Sequence, residues 1–103
     1  MKGMGNMFKQ AQQLQSKMMK IQEEMGEKTV EATVGGGMVS AVVNGKQQLL
    51  SLKIQPEAVN SDDVEMLEDM ILAAVNKAME DSQEMVKHAM SSLTGGLNIP
   101  GLS

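Results

Sequence analysis

From Met4 to Met25 the apolar positions Met4, Met7, Ala11, Leu14, Met18, Ile21 and Met25 recur at spacings of 3, 4, 3, 4, 3 and 4. Three heptads of this kind favour a helix that pairs along its length with another helix over one that merely covers a core. At about 100° per residue the seam occupies one side, and Lys9, Lys17 and Lys20 gather on the opposite side, with Lys2 in line if the helix reaches that far. One face is expected to pair, through Met7, Leu14, Met18, Ile21 and Met25, and the other is basic.

The pattern then changes period. TVEATV alternates strictly, with Val30, Ala32 and Val34 on one side, and Gly35, Gly36 and Gly37 end it. Met38 to Val43 and Lys46 to Ile54 flank Asn44-Gly45, the strongest short-range signal for a two-residue type I′ hairpin. That turn predicts the pairs Val43 with Lys46, Ala41 with Gln48 and Val39 with Leu50. A tight turn at Gly35-Gly36 likewise predicts Ala32 opposite Val39 and Val30 opposite Ala41. Both turns deliver their apolar residues to a single face, shared by Val39, Ala41, Val43, Leu50, Leu52 and Ile54.

After Pro56 the run NSDDVEMLEDM predicts a second helix, with Ser61 or Asp62 as N-cap and acids in the first turn, where the helix dipole favours them. Val64, Leu67, Ile71, Ala74, Ala78, Met85, Ala89 and Leu93 extend a 3–4 spacing that Ser82 interrupts, and Gly95-Gly96 with Pro100 end it. Residues 95–103 are expected to form a mobile tail. The chain is therefore read as one α+β domain over 1–103, ordered α-β-β-β-α, with a three-stranded antiparallel meander between two long helices. A helix over 62–93 spans about 48 Å, against about 20 to 30 Å for the strands. Helices that overhang their sheet expose apolar seam, and a symmetric homodimer is the commonest way to cover it.

Composition narrows the chemistry. The 103 residues hold 12 Met, one Phe, no Trp, no Tyr and no Cys, so a core must be built from flexible aliphatic side chains. Disulfides, thiolate nucleophiles and Cys-based zinc sites are excluded, and a reducing, cytoplasmic setting fits. No run approaches the roughly 20 apolar residues of a membrane span, and the start lacks the apolar core of a signal peptide. The net charge of −4 counts against nucleic-acid binding on average, yet the charge is segregated. Residues 1–22 carry Lys2, Lys9, Lys17 and Lys20 and no acid, whereas residues 23–103 carry 5 Lys against 13 acids.

No reactive constellation emerges. His88 is the single histidine, with no Cys or second His to share a metal, and reads as helix surface. The pairs Glu23-Glu24, Asp62-Asp63 and Glu68-Asp69 point about 100° apart on a helix and do not converge on a substrate. Gly35-Gly36-Gly37 joins strand to strand, whereas phosphate cradles lead into a helix N-terminus. No nucleophile elbow is present. Neither a catalytic site nor a cofactor, metal or small-molecule substrate is expected.

The ordered set MKGMGNMFKQAQQLQSKM, TVEATVGGGMVSAVVNGKQQLLSLKI, SDDVEMLEDMILAAVNKAM and LTGGLNIPG resembles the YbaB/EbfC family of bacterial nucleoid-associated proteins along essentially the whole chain. The resemblance implies an intertwined homodimer whose long helices project like tweezers, in the cytoplasm and at the nucleoid. It implies binding to double-stranded DNA with little sequence preference, with effects on nucleoid organisation and gene expression. Carried over by region, the DNA-facing cations are Lys2, Lys9, Lys17, Lys20 and, near the end of the second helix, Lys87.

The residues qualify that expectation. With no Arg there is no bidentate fork for guanine, and one aromatic offers no stacking platform for single strands. The chain has the means to hold phosphates and few means to read bases. The rival reading is a homodimeric protein-interaction scaffold or adaptor, in which the Met-rich seams or the acidic second helix engage a partner protein without physiological DNA binding.

Overall fold

Three runs of alternating apolar residues form one antiparallel sheet, and a helix flanks it on each side in sequence. The computed structural model describes the backbone of residues 2–94 and the side chains of residues 4–93; the expected mobile tail lies outside the described residues. The elements are α1 (Lys2–Glu27), β1 (Thr29–Val34), β2 (Val39–Asn44), β3 (Leu49–Ile54), a 3-10 turn at Pro56–Ala58 and α2 (Val64–Thr94). The sheet order is β1-β2-β3, which is the expected α-β-β-β-α meander.

Both turns are longer than the sequence pattern predicts, and the register shifts accordingly. Ala32 faces Ala41, Val30 faces Val43 and Val34 faces Val39, in place of Ala32 with Val39 and Val30 with Ala41. Ala41 faces Leu52 and Val39 faces Ile54, while Val43 faces Leu49 across a bulge, in place of Gln48, Leu50 and Lys46. Each regular slip is an even number of residues, so the side chains in those pairs keep their faces. Thus Val39, Ala41, Leu52 and Ile54 share one side as expected. At the bulge between Val42 and Val43 the unpaired residue is Leu50, and Leu49 comes to lie opposite Val43.

The reason lies in how the turn residues are used. Gly35, Gly36 and Gly37 all take positive φ, at 63°, 66° and 93°, and with Met38 they make a first turn of four residues between Val34 and Val39. In the second, Asn44 remains in the strand and its side chain organises the loop. Its Oδ1 accepts the backbone N–H groups of Lys46 at 2.9 Å and Gln48 at 3.0 Å, and its Nδ2 donates to Gln48 Oε1 at 2.7 Å. Gln47, at φ 64°, takes the left-handed position. Gly45 serves another purpose. Its N–H donates to the Met25 carbonyl at 2.9 Å, capping α1, and a Cβ there would collide with that same carbonyl.

The α2 N-cap is Asp63, whose Oδ1 accepts the Met66 N–H at 3.2 Å, rather than Ser61 or Asp62. Asn60 uses its own side chain on the Asp62 N–H, so the chain makes a preliminary turn first. From there α2 packs across β1 and β2. Ala32, Val39, Ala41, Val43, Ala74 and Ala78 form the buried centre, and small side chains on both layers let helix and sheet approach closely. Ser82 does not interrupt the buried stripe; it is fully buried and donates its hydroxyl to the Asn44 carbonyl at 2.6 Å.

Coverage of the sheet is incomplete. Leu50 and Leu52 on β3 stay 55% and 39% exposed, because α2 lies over the other two strands. The molecule measures 74 × 25 × 16 Å, far longer than a six-residue strand of about 20 Å. The helices, as expected, overhang the sheet.

Candidate nucleic-acid interface

The basic helix is aimed by its C-terminus. Helix ends leave their last carbonyls without intrahelical partners, and here the Met25 carbonyl accepts both the Lys28 and the Gly45 N–H groups. The Lys46 stem lies against Gly26 in the last turn. Met25 is itself 5% exposed, so α1 is anchored to the β2-β3 loop by backbone and side chain together. Gln22, Met25, Gly45 and Lys46 also border Val86 of α2. From Met25 back to Lys2, α1 runs about 35 Å, whereas α2 continues past Val86 for only about 12 Å. The N-terminal half of α1 outreaches α2.

That reach carries Lys9 beyond Thr94 of α2, and Lys17 and Lys20 lie alongside its last turns. Lys9, Lys17 and Lys20 are all exposed, and none of them joins an ion pair among the described residues, where Lys77 pairs with Asp81 at 3.8 Å. Lys9 and Lys17 border a shallow depression with Gln12, Gln13 and Ser16 between them. These neutral groups escape a search for charge, yet they share the lysines' helical face and can donate hydrogen bonds to phosphate oxygens. Lys9 to Lys20 covers about 16 Å of helix. Lys87 is also exposed, on α2. The side chain of Lys2 lies outside the described residues.

The seam residues meet different fates within one protomer. Met7 is 71% exposed and Met18 38%, Leu14 and Ile21 are half-buried, and Met25 is enclosed by its own chain. Met4 and Phe8 stand exposed beside Met7. Apolar surface of this extent on a projecting helix is unpartnered in the single protomer.

Chemistry of other kinds finds little footing. His88 and the adjacent acidic pairs are exposed on helices or at the α2 cap, and Gly35-Gly36-Gly37 is a strand-to-strand turn. Among the described residues no three His, Cys, Asp or Glu side chains are grouped to hold a metal ion. No helix among them is long and apolar enough to cross a membrane.

Comparison with known proteins agrees with this architecture. The model of the YbaB/EbfC DNA-binding family matches residues 1–97. A nucleoid-associated protein of Thermoanaerobacter sp. (strain X514) is 60% identical over 97 residues, which are 94% of this chain and 87% of that protein. One from Caldanaerobacter subterraneus subsp. tengcongensis is 58% identical over the same shares. Among solved structures, the uncharacterized protein HP0035 from Helicobacter pylori superposes with a TM-score of 0.74 at 21% identity, covering 84% of this chain and 91% of that one. At that identity the likeness speaks for the fold.

Proposed function

This chain belongs to the YbaB/EbfC DNA-binding family, and from that premise we propose that it is a nucleoid-associated protein of the bacterial cytoplasm. It binds double-stranded DNA with low sequence specificity, through backbone phosphates, and thereby affects nucleoid organisation and gene expression. The observation that carries this reading is the exposed stripe Lys9, Lys17 and Lys20 along one face of α1, none of which joins an ion pair among the described residues. Lys2 and Lys87 extend the same basic set. The role is one of binding rather than catalysis.

The working unit is a homodimer. Exposed Met7 and Met18 on α1 and exposed Leu50 and Leu52 on β3 supply the apolar surface a second copy would cover, with Leu14 and Ile21 completing the seam. A symmetric pair doubles the cationic stripes, and backbone binding gains from each phosphate neutralised.

Fluorescence anisotropy of a random-sequence duplex tests the proposal. Four simultaneous phosphate contacts give a salt slope of about −3.6 and about a 150-fold loss of affinity from about 50 to 200 mM salt. Binding that ignores sequence and weakens in this way supports backbone recognition. An absence of binding at the lower salt overturns it and leaves the scaffold reading.

A further inference from the structure

The two ends of the sheet differ in chemistry. The α1 helix leaves from the Asn44–Gly45 end, while the opposite end, at the Gly35–Met38 turn, holds a cavity of about 290 Å³. Met38, Met66 and Met70 line it, and Glu57 and Asp63 stand at its border. A Cβ at Gly35 would meet the Met70 sulfur, so glycine there keeps the thioether in place. Beside the cavity Val59 and Val64 are 62% and 52% exposed. Residues 57–69 contain six acids and no lysine. An apolar opening walled by adaptable thioethers and bordered by carboxylates suits an apolar side chain flanked by cations.

The chain carries such a group at its other extremity. Phe8 is its sole aromatic residue and is 66% exposed. At about 100° per residue Phe8 lies about 90° from the centre of the heptad seam, at its flank, and is not one of the seam positions. Lys9 follows it directly, in a segment that holds no acid before Glu23. Because α1 projects from the sheet end remote from the cavity, Phe8 cannot reach the cavity of its own protomer.

We propose that the cavity between the Gly35–Met38 turn and the start of α2 receives the Phe8–Lys9 segment of α1 from another copy of this chain. Phe8 enters among Met38, Met66 and Met70, and Lys9 meets the Glu57 and Asp63 carboxylates. The contact joins two different surfaces, one at each end of an elongated molecule, so it is heterologous and propagates head to tail instead of closing. It goes beyond DNA binding, and it is tested without DNA.

Sedimentation velocity of the full chain from low to high micromolar concentration, at about 50 and about 500 mM salt, reads the association. The expected result is a species larger than the salt-resistant unit, growing with concentration at low salt only. Glu57→Lys combined with Met66→Lys abolishes the growth, Phe8→Ala diminishes it, and mixing Lys9→Glu protein with Glu57→Lys protein restores it. Growth that is absent at low salt, or unchanged in these variants, overturns the proposal. A photo-reactive phenylalanine analogue at position 8, in a mixture of isotopically light and heavy protein, provides an independent readout. Light-heavy cross-links into residues 57–70 support the contact, and their absence overturns it.

Discussion

The hydroxyl of Ser82 donates to the carbonyl of Asn44 at 2.6 Å, joining the middle of α2 to the last residue of β2 across 38 positions of sequence. Ser82 is fully buried, and the same carbonyl also receives the Gln47 N–H at 3.1 Å. One polar bond thereby sets how far along the sheet α2 is placed. It sits beside the loop that in turn caps α1.

Ser82→Ala removes this bond and leaves the carbonyl one remaining partner, for an expected loss of about 1 kcal/mol. Urea denaturation measures it. Were Ser82 a mere polar interruption of an apolar stripe, the alanine would stabilise the protein instead, so the sign separates the two accounts.

Gly45 and Gly36 are required for different reasons, and alanine distinguishes them. At Gly36 the space is open and only the positive φ resists, so Gly36→Ala costs about 1 to 2 kcal/mol. At Gly45 the new methyl meets the Met25 backbone carbonyl, which cannot yield without moving α1. Gly45→Ala is expected at about 3 kcal/mol, the upper end of overpacking costs. Thermal melts followed by circular dichroism rank the two variants.

Lys9→Glu with Lys20→Glu alters two exposed side chains that make no ion pair among the described residues. Folding stability should stay within about 0.5 kcal/mol of the parent. Duplex affinity should fall to the detection limit at low salt, and each single Lys→Ala change should flatten the salt slope by about 0.9. Anisotropy titrations at several salt concentrations check both statements.

Leu52→Glu places charge on the part of the sheet face that α2 leaves open. In the proposed dimer this surface is covered, so at about 500 mM salt the variant should sediment at 11.1 kDa while the parent sediments at twice that mass. Leu52→Val, which keeps the surface apolar, should behave as the parent does.

Much of the candidate interface was legible in the chain itself. The lysine stripe follows from helical spacing alone, and the acid-free segment 1–22 marks it out. Gln12, Gln13 and Ser16 were not legible as part of it, because uncharged polar residues on a helix carry no signal until the lysines beside them are known to stand exposed. Nor does spacing tell which seam residues remain free. Met25 and Met4 occupy equivalent heptad positions, yet one is enclosed against Gly45 and the other is 68% exposed. The difference arises because the β2-β3 loop folds back onto the end of α1 and reaches no farther.

By itself the sequence determined the order of the elements, their types and their faces, since periods of 3.5 and 2 are properties of local backbone geometry. Face assignment survived wrong turn lengths wherever the slip was even, because even-numbered slips preserve which side a strand residue takes, and it failed at the bulge, where Leu49 comes to lie opposite Val43. Register, the use of Ser82 and the aim of α1 were decided by tertiary structure. The α2 cap is a local bond, with Asp63 accepting the N–H three residues on; for Ser82 and for α1 a backbone group needed a partner distant in sequence: the Asn44 carbonyl found Ser82, and the Met25 carbonyl found Gly45. An Asn-Gly pair read locally is a two-residue turn. Once the end of α1 must be capped, Asn44 holds the loop with its side chain, Gly45 gives up its N–H to the helix, and the hairpin lengthens around them.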